Sequence, residues 1–123
     1  MKYINFKTKA ISEDSRNVFQ TCICPDFVPL ELREFFSCCN PVDVEISYPV
    51  LGAVRFYPVE ELEQLHDDYG FEEGNFIFAT TNGDAIFLKD GKVYCSLHGH
   101  YNPELLATSF DKFLEKYIHG SCE

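Results

Sequence analysis

The sequence of 123 residues has no tryptophan, one methionine, and only ten lysine and arginine residues against twenty aspartates and glutamates. The formal net charge of −10 opposes binding to nucleic acid or to an anionic membrane and favours a basic protein partner. No apolar run approaches the length of a membrane-spanning helix. The opening residues, MKYINFKTKAISED, lack the apolar core of a secretory signal, so we expect a cytoplasmic protein.

The six cysteines, at positions 22, 24, 38, 39, 95 and 122, come without a secretory signal, so we expect free thiols. Cys22 and Cys24 are separated by one residue, whereas zinc knuckles use a two-residue spacer. His98 and His100 lie near Cys95, but no further ligand follows at zinc-like spacing. We interpret these histidines as polar loop residues and predict no metal and no cofactor.

Strands are predicted where apolar and polar residues alternate over 42–47, and over the apolar runs 51–57, 75–80, 84–89 and 92–97. The last two runs flank Asp90-Gly91, which predicts a two-residue hairpin turn. Asn82-Gly83 predicts another turn. Asp84 after it could be a contact residue, but we favour a local hydrogen bond to the turn backbone.

Helices are predicted over 29–39, from Pro58 to Gly70, and from about Ser109 to residue 117 or 118. In the last of these, Thr108 is the predicted N-cap, and Phe110 and Phe113 begin a buried face. Residues 1–24 fit either an edge strand or a helix. The sequence therefore predicts one α+β domain over residues 1–123, with a mostly antiparallel sheet of about five strands flanked by three or more helices.

Between Arg55 and Lys89 there is no lysine or arginine, but there are eight acidic residues. A solvated helix face and the favourable helix dipole at the N-terminal end would explain Glu60 and Glu61. Acids near the C-terminal end of a helix are unfavourable, which supports the alternative that the cluster is a docking surface for basic residues. The cluster comprises Glu60, Glu61, Glu63, Asp67, Asp68, Glu72 and Glu73.

No convincing catalytic set is present. Ser109 and Lys112 have Ser-x-x-Lys spacing, but Ser109 is better explained near a helix cap. Asp67 and Asp68 are adjacent, so on a helix they would point about 100° apart and could not easily share one proton. There is no glycine-rich phosphate loop. We predict a binding protein rather than an enzyme.

Four segments share their order and spacing with a known family. They are residues 26–30 with Leu32, Phe35 and Phe36; residues 56–62; Gly83-Asp84 with Ile86-Phe87; and residues 92–94 with His98, 107–110, Phe113 and Leu114. Over about residues 25–118 the chain resembles the SUKH superfamily. That group includes yeast regulators of cell-wall glucan synthesis and many bacterial immunity proteins.

The resemblance implies a non-catalytic SUKH-like fold and, among bacterial members, an antidote that binds a toxin domain, often a nuclease. A nuclease holds a polyanion in a basic cleft, which an acidic protein complements. A regulatory or scaffolding module of the same fold is the second hypothesis, and a small hydrolase is the third. The oligomeric state stays open.

Affinity at such an interface would come from a few buried aromatic anchors surrounded by charge. The candidates are Tyr48, Phe56, Tyr57, Tyr69 and Tyr101. Each of them is equally compatible with packing in the core. Gly83, Asp84, Gly91, Ser109, Phe110 and Phe113 are predicted to serve the fold rather than the partner.

Overall fold

The computed structural model describes residues 3–42, 44–48, 51–69, 75–96 and 103–118. The helices in these ranges are α1 (Ile4–Glu13), α2 (Leu30–Cys39), a 3-10 helix (Val59–Glu61), α3 (Leu62–Tyr69) and α4 (Phe110–Ile118). The strands are β1 (Phe19–Gln20), β2 (Asn40–Pro41), β3 (Val44–Tyr48), β4 (Gly52–Phe56), β5 (Phe76–Thr81), β6 (Asp84–Lys89), β7 (Lys92–Cys95) and β8 (Glu104–Ala107).

Strands β3 to β8 form one antiparallel sheet in which each strand pairs with the next along the chain. β1 and β2 form a separate two-residue ribbon. The predicted α+β class with an antiparallel sheet is confirmed, but the main sheet has six strands instead of about five. The additional strand is β8. Its sequence, Glu-Leu-Leu-Ala, does not alternate, so its state depends on pairing with β7.

Two glycine turns connect β5 to β6 and β6 to β7. In the first, Asn82 and Gly83 have φ angles of 51° and 86°; in the second, Asp90 and Gly91 have 53° and 78°. Two consecutive left-handed residues match the twist of a hairpin. A Cβ on Gly83 would meet nothing within 4 Å, so the backbone angle and not crowding favours glycine there. The predicted hairpin over 84–97 is confirmed over Asp84 to Cys95.

Aromatic rings are the largest fully buried side chains of the core. Phe35 on α2 lies at its centre. Its ring is 5.7 Å from the ring of Phe6 on α1 and 5.0 Å from the ring of Phe110 on α4, measured between centroids, both in edge-to-face geometry. Edge-to-face pairs stabilise a core beyond the area that they bury. These contacts join three helices over the sheet.

Residues Ile4–Glu13 form the helix α1, so the edge-strand alternative for Ile4 and Phe6 is wrong. Phe6 and Ala10 lie one helical turn apart and are both fully buried. After α1, the amide of Asn17 donates to Glu45 O at 3.1 Å and accepts from Glu45 N at 3.0 Å. The Glu13 carboxylate accepts from Ser47 N at 2.8 Å. Side chains from this region therefore satisfy backbone groups along the free edge of β3.

The ends of the helices differ slightly from the prediction. Lys112 N donates to Ser109 Oγ at 3.1 Å, so Ser109, and not Thr108, is the N-cap of α4. The hydroxyl of the residue immediately before the helix reaches the free N–H groups best. Pro29 and Pro58 each lie one residue before a helix, with extended ψ angles of 150° and 155°. Pro29 thus precedes α2 instead of occupying its first turn.

Across the described residues, no helix is both long enough and apolar enough to cross a bilayer.

Candidate functional site

The acidic segment consists of the 3-10 helix and α3, residues 59–69. Val59, Leu62 and Leu65 turn inward and are at most 6% exposed, which fixes the orientation of the segment. The carboxylates therefore point outward. Five members of the predicted acidic cluster are described and all are exposed: Glu60, Glu61, Glu63, Asp67 and Asp68.

Asn40, nineteen residues earlier in the sequence than Val59, forms hydrogen bonds with the beginning of this segment. The backbone N–H of Val59 donates to Asn40 Oδ1 at 2.8 Å, and Asn40 Nδ2 donates to Glu60 Oε1 at 3.2 Å. Asn40 is 1% exposed, so its amide is a buried substitute for a local helix cap. Glu60 is therefore partly a structural residue.

The remaining carboxylates have few partners. Asp68 accepts from Gln64 Nε2 at 2.9 Å. Within the described ranges, none of the five forms an ion pair with lysine, arginine or histidine. Asp67 and Asp68 lie in the last turn of α3, where the helix dipole disfavours negative charge. Helix stability therefore does not account for these two acids.

An open groove of about 630 Å³ lies between the loop before α2, the outward side of α3, and the beginning of β5. Glu63 and Asp67, one helical turn apart, form its acidic side. The other lining residues are Phe27, Pro29, His66, Asn75 and Phe76. We call these seven residues the α3 groove. Its volume lies in the range of sites that accept a ligand or a side chain of a partner.

His66 closes the inner side of the α3 groove without offering it a free polar atom. Ile77 N donates to His66 Nε2 at 2.8 Å, and His66 Nδ1 lies 2.7 Å from Leu62 O. A backbone N–H can only donate, so Nε2 accepts, and the proton is on Nδ1 and donated to Leu62 O. His66 is therefore neutral here, and its ring lies 5.2 Å from the ring of Phe76.

The opposite wall is aromatic and held in place. Phe27 is 44% exposed, and its ring centroid lies 6.1 Å from that of Phe76. Arg33 fixes the loop that carries Phe27, because its guanidinium donates to Val28 O at 2.8 Å and to Asp26 O at 2.9 Å. An exposed phenylalanine on a braced loop is a preformed contact surface.

The structure brings only part of the predicted partner-binding set together. Glu63 and Asp67 line the groove. Tyr57 is half-buried outside it, with its hydroxyl 3.0 Å from Thr80 Oγ1 and Arg55 over its ring at 5.3 Å. Tyr69 ends α3. Glu72, Glu73 and Tyr101 lie outside the described residues.

Two of the candidate anchors are core residues, so their interpretation as anchors is wrong. Tyr48 is 5% exposed and stacks on Phe113 at 4.6 Å, with its hydroxyl donating to Phe113 O at 2.7 Å. Phe56 is fully buried. Phe27, His66 and Phe76 line the groove but were not among the site residues predicted from the sequence. Phe27 could have been predicted as an exposed residue, because it lies in a turn before α2. The sequence around Phe76 is typical of any strand residue and does not indicate a site.

Among the described cysteines, the two buried ones are poor candidates for a nucleophile. Cys22, Cys24, Cys38, Cys39 and Cys95 are free thiols. Burial raises the pKa of Cys39 and that of Cys95 to about 11, with Asp84 and Glu104 adding to the shift at Cys95. A thiol with a raised pKa is a poor nucleophile at neutral pH. No group of three or more metal-ligating side chains occurs within the described ranges, and His98 and His100 lie outside them.

The sequence pattern of the SMI1 / KNR4 family (SUKH-1) matches residues 27–116. The matched region begins at Phe27 in the α3 groove and extends into α4, which is well over half of the chain, and α1 precedes it. Comparisons with curated proteins and with solved structures give no significant match. The resemblance predicted from the four segments is confirmed, and this chain belongs to the SMI1 / KNR4 family (SUKH-1).

Proposed function

We propose that this protein is a cytoplasmic immunity protein that binds and neutralises a basic toxin domain, with a nuclease as the favoured class. The observation that carries the proposal is the acidic segment itself. Its exposed carboxylates lack cationic partners within the described residues, and two of them border an open groove with aromatic walls. Unpaired charge beside exposed aromatic surface supports a protein-binding role, because interfaces combine an apolar centre with a polar rim of complementary charge.

Charge and apolar contact have different roles in this proposal. The net charge of −10 increases the rate of encounter with a basic protein and disfavours acidic ones. Exposed ion pairs add little affinity, typically below about 1 kcal/mol each. Affinity therefore requires an apolar contact, and Phe27, which is 44% exposed and lines the groove with Glu63 and Asp67, supplies apolar surface next to the acids.

A stoichiometric mechanism, without catalysis, fits the described residues best. Both ring nitrogens of His66 are engaged with backbone atoms. The Ser109 hydroxyl caps α4, which supports the cap interpretation over a Ser-x-x-Lys nucleophile. Inhibition by covering a cleft needs no reactive group, only a rigid complementary surface.

The second candidate is a regulatory or scaffolding module that binds an endogenous protein. The family match supports this candidate as well, since the resemblance to the SUKH superfamily extends to its yeast regulators of cell-wall glucan synthesis. It predicts a stable complex with a host enzyme and no rescue from any toxin. The two candidates share the acidic binding surface and differ only in the partner.

The test is co-expression with the product of the adjacent gene, scored by cell survival and by co-purification. We expect the wild-type protein to protect, and the variant Asp67→Lys, Asp68→Lys, Glu72→Lys, Glu73→Lys to lose protection while remaining folded. The matched control is Glu31→Lys, Glu45→Lys, Glu104→Lys, Glu115→Lys, which makes the same charge change at exposed positions on α2, β3, β8 and α4.

Protection by the control but not by the first variant would support the acidic segment as the docking surface. Equal loss in both variants would show that only net charge matters. Full protection by the first variant would overturn the docking role of the acidic segment. Absence of rescue, together with tight binding to a host enzyme, would replace the immunity role with the scaffold.

A further inference from the structure

We infer that the α3 groove binds an arginine side chain presented by the partner protein. The inference rests on the proposed function, because it specifies how the acidic segment recognises a basic partner. It concerns the groove alone and not the whole acidic surface. Four features of the groove carry the inference: its acceptors, its aromatic walls, its lack of an internal cation, and its size.

The polar groups that face the groove accept hydrogen bonds more than they donate them. Glu63 and Asp67 are exposed carboxylates on one side of α3, and an ionised carboxylate only accepts. His66 contributes no free donor, because both nitrogens are already bonded to backbone atoms. Asn75 is the remaining polar side chain of the groove, and an amide can accept as well as donate. The complementary ligand is therefore a donor with positive charge.

The walls select the shape of that donor. Phe27 and Phe76 present rings 6.1 Å apart, inclined at 42° to each other, and Pro29 adds apolar surface beside them. A guanidinium is planar, stacks on aromatic faces, and pairs with carboxylates through two parallel N–H groups. An ammonium is more strongly hydrated and lacks the flat face. Arginine thus uses both the walls and the acids, whereas lysine uses mainly the acids.

Within the described residues, no cation of the chain itself occupies this position. Arg33 on α2 contacts the loop that carries Phe27, but its guanidinium donates to the carbonyls of Val28 and Asp26. Glu63 and Asp67 form no ion pair within the described ranges. The volume of about 630 Å³ accommodates an arginine side chain together with part of the loop that presents it.

The first test uses a small probe, so that it does not depend on finding the partner. Nα-acetyl-arginine amide is titrated into ¹⁵N-labelled protein, with Nα-acetyl-citrulline amide as the neutral isostere and Nα-acetyl-lysine amide as the alternative cation. We expect saturable shifts at the amides of Phe27, His66 and Phe76 with the arginine probe in the millimolar range. We expect weaker shifts with the lysine probe and none with citrulline.

The second test uses charge-neutral variants that differ only in position. Glu63→Gln with Asp67→Asn removes the acids of the groove. The matched control, Glu61→Gln with Asp68→Asn, removes the same charge from exposed positions of the same segment that do not line the groove. We expect the first pair to raise the Kd of the arginine probe about 10- to 100-fold and the control pair to change it less than about 3-fold.

The outcomes separate this inference from the proposed function. Equal shifts with the citrulline and arginine probes, or equal effects of the two variant pairs, would overturn the arginine site, even if the protein still protects against a toxin. Binding of the arginine probe that the groove pair abolishes would support the site, even if the adjacent gene product proves not to be the partner. Once a partner is found, the groove pair should weaken its binding more than the control pair does.

Discussion

The backbone N–H of Ile77 donates a hydrogen bond to Nε2 of His66 at 2.8 Å, so a side chain of α3 serves as the acceptor for the second residue of β5. The other ring nitrogen of His66 lies 2.7 Å from Leu62 O. This bridge fixes the distance between α3, which carries the acids, and β5, which carries Phe76. The shape of the α3 groove therefore depends on a histidine in its neutral form.

Substituting His66 tests this bridge. His66→Phe retains an aromatic ring but leaves Ile77 N–H without its acceptor, so we expect a loss of about 1–3 kcal/mol in the free energy of unfolding. His66→Gln can place an amide oxygen near the position of Nε2 and should recover part of that loss. Urea denaturation measures both. Long-range ¹⁵N NMR should show the proton on Nδ1, and a proton on Nε2 would contradict the assignment.

The aromatic core predicts a large effect of truncation in α1. Phe6 is fully buried and contacts Phe35, Phe56 and Tyr117. Phe6→Ala should lower the free energy of unfolding by about 3–5 kcal/mol. Ile4→Ala, two residues earlier and 47% exposed, should lower it by less than about 1 kcal/mol. Similar effects of the two substitutions in chemical denaturation would show that α1 is not docked on the core.

The N-cap of α4 predicts a larger loss of stability at Ser109 than at its neighbour Thr108. Ser109 Oγ accepts from Lys112 N, so Ser109→Ala should cost about 1 kcal/mol of stability. Thr108 is exposed, and Thr108→Ala should change stability by less than about 0.5 kcal/mol. Thermal or urea unfolding distinguishes the two. A larger effect at Thr108 would restore the cap that the sequence pattern suggested.

The buried thiols predict a fall in stability at alkaline pH. Burial raises the pKa of Cys39 and of Cys95 from 9.0 to about 11. The unfolded chain therefore loses these protons near pH 9, whereas the folded chain keeps them until about pH 11. The contribution of these two thiols to the free energy of unfolding is complete below pH 9 and is lost as pH rises toward 11. Over that range the free energy of unfolding falls by up to about 1.4 kcal/mol per pH unit for each thiol.

The measurement is the free energy of unfolding in urea between pH 8 and pH 10, under reducing conditions. The double variant Cys39→Ala, Cys95→Ala should be less stable than the wild type at pH 8 but should show a flatter decline. Tyr48, whose pKa burial also raises, is present in both proteins and cancels from the comparison. Parallel declines would show that the thiols ionise equally in both states.

Local sequence patterns determined most of the secondary structure and the family. Residues close in sequence determine the turn at Asp90-Gly91 and the buried face of α4, because backbone angles and helical periodicity are local properties. The scarcity of basic residues between Arg55 and Lys89 likewise predicts an acidic surface from the sequence alone. The order of four short segments was enough to identify the family, which the match over residues 27–116 confirms.

Tertiary structure decided which residues meet. Asn40 caps a helix that begins nineteen positions later, and Phe27 approaches Phe76 from across the fold. The same packing placed Tyr48 and Phe56 in the core, although their sequence context also allowed an exposed role. The strand state of β8 depends on its pairing with β7, and the groove depends on the packing of a loop against a helix and a strand that are distant from it in sequence. Local patterns carry no information about that pairing, because its free energy comes from contacts that exist only once the chain has folded.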